Sequence, residues 1–351
     1  LRVARSYPLT FQTQPMWRWR SDPPPLRAAF GSCAYINDPP YDRPGDPYGG
    51  DYAIFRAIAG LHPDLMLWLG DDVYYREGDL TGEAGMRRRW AHDRALPELQ
   101  PLLGATQHYA MWDDHDFGAN DSDRTFRDRQ TSLRVFQDYW LNPTYGTPEL
   151  PGVYTRFEWS DVEFFLLDDR SFRSPDDLPP GPEKRMFGRA QLQWLEEALV
   201  ASKATFKIVA GGNQFFNPFT YFEGLSSFPA EQRELLDWLR RAKVSGVVFL
   251  SGDRHFTELL VHREPGLYPL YEYTSSPLTS GPAATDKETE NPTRVPGTLI
   301  YGKRNFGTLE VGGKPKERVL TFRAFGVDGT ELWKHEIRET ELRFPAGQKK
   351  N

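Results

Sequence analysis

Four short apolar runs set the pattern of this chain, and each ends in a cluster of polar residues. They are Leu26-Arg-Ala-Ala-Phe-Gly-Ser-Cys33, Leu65-Met-Leu-Trp-Leu-Gly-Asp-Asp-Val-Tyr-Tyr75, Tyr109-Ala-Met-Trp-Asp-Asp-His-Asp116 and Val247-Val-Phe-Leu-Ser-Gly-Asp-Arg-His255. A short continuous apolar run bounded by turn signals reads as a buried strand. Strands are expected over 26–31, 64–69, 107–112, 161–168, 205–211 and 246–251. Between them apolar residues recur at three- and four-residue spacing, which predicts helices over 50–60, 84–99, 124–140, 188–201 and 229–242. Such alternation favours sheets with helices packed outside. Past residue 256 the texture changes: strands at 256–263, 269–274, 298–301, 306–312, 318–325 and 330–338 follow one another with Gly and Pro punctuation. They read as a largely antiparallel sheet packed against the first. Residues 276–297 read as a long surface loop, 1–25 as an extended arm, 26–342 as a single domain and 343–351 as a flexible tail.

Composition narrows the function classes. The chain has 351 residues, 39% hydrophobic and 26% charged, ordinary for a folded protein with a large core. A net charge of −6 argues against a nucleic-acid-binding module. No apolar stretch reaches the length of a transmembrane segment. Aromatics make up 14%, with ten Trp, so core and pocket rims are expected to be aromatic. One cysteine rules out an intrachain disulfide framework and leaves the redox compartment open. The chain begins at Leu1 with no signal-peptide pattern. Export to the periplasm or the cell exterior is the expectation, with a cytoplasmic location as the alternative.

The strand ends carry the chemistry, because ligands of open α/β sheets collect at the carboxyl ends of strands. Asp71 and Tyr74 are three apart, so a tight turn lets both face one point, and their oxygens suit a hard cation. The competing reading of Gly70-Asp-Asp is a helix-capping turn. Asp113-Asp-His-Asp116 crowds three carboxylates around an imidazole, which opposes folding unless a cation or protonated His relieves it. A solvated acidic loop is the bland alternative, weakened by the preceding Met111-Trp112. Asp253 and His255 are expected to project in the same sense from an extended strand end, and a satisfied buried histidine is the alternative there. Asn213, after Gly211-Gly, offers a neutral amide oxygen. Cys33 has a rival reading as a catalytic thiol, but neighbouring acids raise a thiol's pKa, whereas a metal deprotonates it outright. A Gly-x-Ser-x-Gly elbow, a P-loop and a dinucleotide fingerprint are all missing.

The blocks Gly-Ser-Cys33, Gly70-Asp-Asp-Val-Tyr-Tyr75, Trp112-Asp-Asp-His-Asp116, Gly212-Asn-Gln214 and Ser251-Gly-Asp-Arg-His255, in this order, resemble the PhoD-like alkaline phosphatase family of metallophosphoesterases. Leu167-Asp-Asp-Arg-Ser-Phe-Arg173 and Gly188-Arg-Ala-Gln-Leu-Gln-Trp-Leu195 add to the resemblance, which spans roughly 26–340. Many members carry an N-terminal β-sandwich domain, and here a short arm stands before the first strand. The resemblance implies a four-layer α/β/β/α sandwich of two mixed sheets flanked by helices. It implies ferric iron held by Cys33, Asp71, Tyr74 and His255. It also implies a second metal, calcium, on Asp71, Asp114 or a near neighbour, Asn213 and Asp253, with Mn2+, Mg2+ or Zn2+ as alternatives. The implied reaction is hydrolysis of phosphoric esters by a metal-activated hydroxide. His115 is the candidate general acid or hydrogen-bond donor. Arg170 and Arg173 are candidates for holding phosphoryl oxygens or pairing with the acidic cluster. Phosphodiesterase activity with a phosphomonoesterase side activity is the expectation, on small-molecule, lipid or polymer esters. A chiefly alkaline phosphomonoesterase, or an inactive metal-stabilised binding module, is the alternative.

Overall fold

A strand buried on both faces has to satisfy its N–H and C=O groups sideways, so the apolar runs fix the sheets first. In the computed structural model, which describes residues 9–10, 13–220, 222–283 and 290–344, they enter two six-stranded mixed sheets. In chain order the elements are β1 (Leu26–Gly31), α1 (Ile54–Gly60), β2 (Leu65–Leu69), α2 (Glu83–Arg94), α3 (Gln100–Ala105), β3 (Gln107–Met111) and α4 (Asp114–Phe117). Then come α5 (Arg129–Tyr139), β4 (Thr155–Trp159), β5 (Val162–Leu166), α6 (Arg189–Ala201), β6 (Phe206–Ala210), α7 (Pro229–Ala242) and β7 (Val247–Ser251). The chain closes with β8 (Glu258–His262), β9 (Leu270–Thr274), β10 (Asn305–Gly312), β11 (Val319–Gly326) and β12 (Glu331–Arg338).

One sheet has the order β12-β11-β10-β1-β2-β3 and the other β4-β5-β6-β7-β9-β8. Strands β1, β2 and β3 run parallel, as do β5, β6, β7 and β9. The sheets face each other through aromatic contacts: Phe30 of β1 meets Tyr273 of β9 edge-on at 4.7 Å, and Tyr109 of β3 stacks on Phe157 of β4 at 3.6 Å. Helix pairs α1–α3, α2–α5 and α6–α7 flank the sheets, giving the expected α/β/β/α architecture. The carboxyl ends of β1–β3 and β5–β7 supply every loop that carries a candidate ligand, which is what positions the site.

Several boundaries differ from expectation. The strands after residue 256 do not make a sheet of their own. β10–β12 extend the first sheet by antiparallel pairing of β10 with β1, Leu26 opposite Val311, while β8 and β9 extend the second beyond β7. The edges of the two parallel sets have unpaired backbone groups, and the late strands cover them. The stretch 298–301 contributes only a bridge, Thr257 with Ile300. The helix expected over 84–99 ends at Arg94 and restarts at Gln100. Pro97 lies in the break and Pro101 in the first turn of α3, where its missing N–H costs nothing. The short edge strand β4 was not expected.

Within the arm, the Gln14 amide donates to the Glu158 carbonyl at 2.7 Å and accepts from Ser160 N–H at 3.0 Å. Residues 345–351 of the expected tail and 284–289 of the expected loop lie outside the described residues. No helix among the described residues is long and apolar enough to cross a membrane.

Candidate metal centre

The turns after β1, β2 and β7 are sharp and strained. Cys33 (φ 61°), Asp71 (56°), Asp253 (65°) and His255 (56°) all take left-handed backbone conformations that cost a non-glycine residue about 1 kcal/mol or more. Asp253 and His255 therefore do not leave β7 as an extended strand, as the sequence suggested. Left-handed turns at both residues bend the loop back toward β1 and β2.

One cluster gathers Cys33, Asp71, Tyr74 and His255. The Tyr74 hydroxyl donates to Asp71 Oδ2 at 2.9 Å and lies 3.4 Å from His255 Nε2. Cys33 Sγ is 3.5 Å from the same Asp71 oxygen. The ligand atoms of Cys33, Asp71 and His255 lie within 4.8 Å of one another, close enough for one ion. His255 Nδ1 is 2.6 Å from the Gly281 carbonyl. That contact requires the proton on Nδ1 and leaves Nε2 as the free lone pair facing the cluster. Burial pushes the Cys33 thiol up to about 11, with the Asp253 charge adding to it. Asp71 is raised well above the carboxylate range by burial and then by Asp114, and Tyr74 is raised by burial and then by Asp71. Three acids that resist ionisation together are what a cation would reverse. The mixed thiolate, phenolate, carboxylate and imidazole set fits a transition metal, ferric iron included.

A second cluster adjoins it through Asp71. The ligand atoms of Asp71, Asp114 and His115 lie within 4.8 Å, and His115 N–H donates to Asp71 Oδ1 at 3.2 Å. Burial opposes the charge on Asp114, yet His115 and Arg170 hold its carboxyl below the usual range while its partner Asp71 is raised. The two crowded carboxyls are thus pushed in opposite directions. The sequence left open which acid of Asp113, Asp114 and Asp116 faces the site, and the structure separates them. Asp116 accepts from the N–H groups of Asp113 (2.6 Å) and Asp72 (3.0 Å), tying two strand ends together. Asp113 accepts from Arg170 Nε at 2.6 Å and from Asn213 Nδ2 at 2.9 Å. Asp114 remains beside Asp71.

Arg170 takes the second of its two candidate roles, pairing with the acidic cluster, and the Asn213 amide meets Asp113 and Arg173. Asn213 Oδ1 accepts from Arg173 Nη1 at 3.1 Å, so its amide oxygen is already engaged. A Cβ on Gly212 would lie 2.6 Å from Asp169 Oδ2 and 2.8 Å from Asp113 Cγ, so only glycine lets this loop pass between the two carboxylates. Arg170 is fully buried and spends its donors on Asp113, Ser122 and Glu223. Glu223 is a residue that sequence reasoning missed. It joins Arg170 (2.6 and 3.0 Å) to Arg173 (2.7 Å), and its carboxylate lies within 4.8 Å of those of Asp113 and Asp114. It sits in Phe222-Glu-Gly224, a loop with no pattern to mark it.

Asp253 follows β7, and its backbone carbonyl lies 3.6 Å from Cys33 Sγ. Its carboxyl is raised to about 6 by burial, with Glu223 and Asp114 opposing the relief from Arg254. His115 is lowered from its ordinary value by burial, against the pull of Asp114. Its ring packs on Tyr74 with centroids 4.2 Å apart.

Comparison with known proteins gives a consistent neighbourhood. A family model described as PhoD-like phosphatase matches residues 29–314. Alkaline phosphatase D of Bacillus subtilis (strain 168) is 22% identical over 321 residues, covering 76% of this chain and 53% of the relative. The chain thus spans about half the length of that curated relative. Among solved structures, one titled as the structure of PhoD superposes with a TM-score of 0.70 at 18% identity, covering 92% of this chain and 72% of that one. The purple acid phosphatase PPD1 of yellow lupin (Lupinus luteus) seeds superposes with a TM-score of 0.64 at 12% identity, covering 99% of this chain and 59% of that one. At these identities the superpositions speak for the fold.

Proposed function

The chain belongs to the PhoD-like phosphatase family, and on that footing we propose that it is a metal-dependent hydrolase of phosphoric esters, acting on diesters in preference to monoesters. The observation that carries this is the convergence of Cys33, Asp71, Tyr74 and His255 on one point next to the Asp71–Asp114–His115 cluster. Asp253, on the loop after β7, would add a carboxylate to the second set. Bound metal ions would supply Lewis acidity and lower the pKa of water toward neutrality.

The protein's own groups do the rest. Asp71, between the clusters, fixes their spacing, and the Gly281 carbonyl holds the His255 tautomer. His115, neutral at alkaline pH because burial lowers it, donates a hydrogen bond to a phosphoryl or leaving-group oxygen. Arg170 orients Asp113, and through Asp113 the Asn213 amide, from behind rather than touching substrate. Diester preference is supported by charge. With Arg170 and Arg173 already paired to carboxylates, little uncompensated positive charge remains for a dianionic monoester, while a monoanionic diester is repelled less.

The test is elemental analysis of the purified protein together with nitrophenyl mono-, di- and triester phosphates. Iron plus a divalent ion, and diester turnover exceeding monoester turnover, are expected. A colourless, metal-free protein with full esterase activity would sink the assignment.

A further inference from the structure

Beside the metal ligands lies a pair of guanidinium groups that something already fills. Arg170 and Arg173 have no exposed surface, and both point at one carboxylate. Glu223 Oε2 accepts from Arg170 Nη2 at 2.6 Å, and Oε1 accepts from Arg170 Nη1 at 3.0 Å and from Arg173 Nη2 at 2.7 Å. Planar, charged donors in this arrangement are what an arginine pair offers to a phosphoryl group as readily as to a carboxylate. The place is next to the chemistry: Arg170 Nη2 is 3.9 Å from Asp114 Oδ1, and Arg173 Nη1 is 3.1 Å from Asn213 Oδ1. The Glu223 charge is also felt at His115 and Asp253.

Resting on the phosphoesterase reading, we propose that Glu223 is a specificity-determining residue: an internal carboxylate seated in the Arg170–Arg173 fork that excludes free phosphate and dianionic terminal phosphoryl groups, and so favours diesters. Arg173 has a second acid, Asp176, at 3.0 Å, but that side chain is 38% exposed and does not reach Arg170. Glu223 alone bridges the pair among the described residues. A terminal phosphoryl group gains the fork only by displacing it. A diester has no terminal phosphoryl group to place in the fork and so has no need of it.

Charge and seating can be separated experimentally. Glu223→Gln removes the charge and keeps the shape. Glu223→Asp keeps the charge but is one methylene short of spanning both guanidinium groups. In the metal-loaded protein, both should lower the inhibition constant of inorganic phosphate, about tenfold for Glu223→Gln and several-fold for Glu223→Asp. Both should raise the ratio of monoester to diester kcat/KM, and phosphate calorimetry should follow the same order without relying on turnover. Asp176→Asn, which removes a carboxylate from Arg173 without opening the fork, should change the phosphate constant by less than about threefold. A protein that cleaves diesters but whose phosphate affinity is unmoved or weakened in both Glu223 variants overturns the proposal and leaves the phosphoesterase reading intact. A loaded protein that neither cleaves esters nor binds phosphate overturns both.

Discussion

Replacing Arg170 by Met should destabilise the protein strongly, and the size of the loss follows from what the guanidinium holds. Arg170 is fully buried, donates to Asp113 Oδ1 from Nε at 2.6 Å, and closes on Glu223 with both terminal nitrogens. Methionine fills much the same volume but satisfies neither acid. Glu223 keeps Arg173 as a partner, whereas the only side-chain donor left to Asp113 among the described residues is the Asn213 amide. Removing one member of a buried ion pair costs about 3–5 kcal/mol, because the other charge stays behind unpaired. The Asp113 carboxyl is already raised by burial even with Arg170 opposing the shift, so in Arg170→Met it should rise further. A carboxyl with a raised folded-state pKa weakens the fold when ionised. The deficit should therefore be full at alkaline pH and shrink as pH falls through the folded pKa toward the unfolded one. Urea unfolding followed by tryptophan fluorescence, at pH 8 and pH 5, reads both effects, with a midpoint shift of about 1 M or more expected at pH 8. If Arg170→Met unfolds at the wild-type midpoint at both pH values yet has lost ester hydrolysis, the guanidinium contacts substrate directly and its ion pairs are incidental.

Other outcomes follow from the same geometry. Cys33→Ser should lower iron content, visible charge-transfer absorption and activity together, whereas a catalytic thiol would leave the metals in place and only the activity lost. Gly212→Ala drives a Cβ to 2.6 Å from Asp169 Oδ2 and should cost about 1–3 kcal/mol in stability, measurable as a lowered thermal midpoint. Because burial raises the Asp253 carboxyl to about 6 and it must be ionised to bind a cation, affinity for the divalent ion should fall as pH drops from 7 to 5, as read by metal titration calorimetry. His115→Ala should keep its iron and lose more rate on alkyl esters than on nitrophenyl esters; equal losses with metal depletion would make His115 a ligand.

The sequence by itself determined the frame. Strands buried on both faces give continuous apolar runs, and β1, β2, β3, β6 and β7 lie within about a residue or two of where those runs predict them. The same runs end at Cys33, Asp71, Asp113–Asp116, Asn213 and Asp253–His255, so the candidate ligands could be named before their distances were known. Tertiary structure alone decided how the late strands divide between the two sheets, because pairing β10 with β1 links residues nearly 300 positions apart and leaves no local trace. It alone distinguished Asp114 from Asp113 and Asp116, three acids with the same side chain whose roles depend on Arg170, Asn213 and the N–H of Asp72. Glu223 was out of reach of the sequence for the same reason. Coulomb energy depends on separation in space, and the carboxylate that neutralises Arg170 and Arg173 comes from a loop 50 residues or more away in the chain.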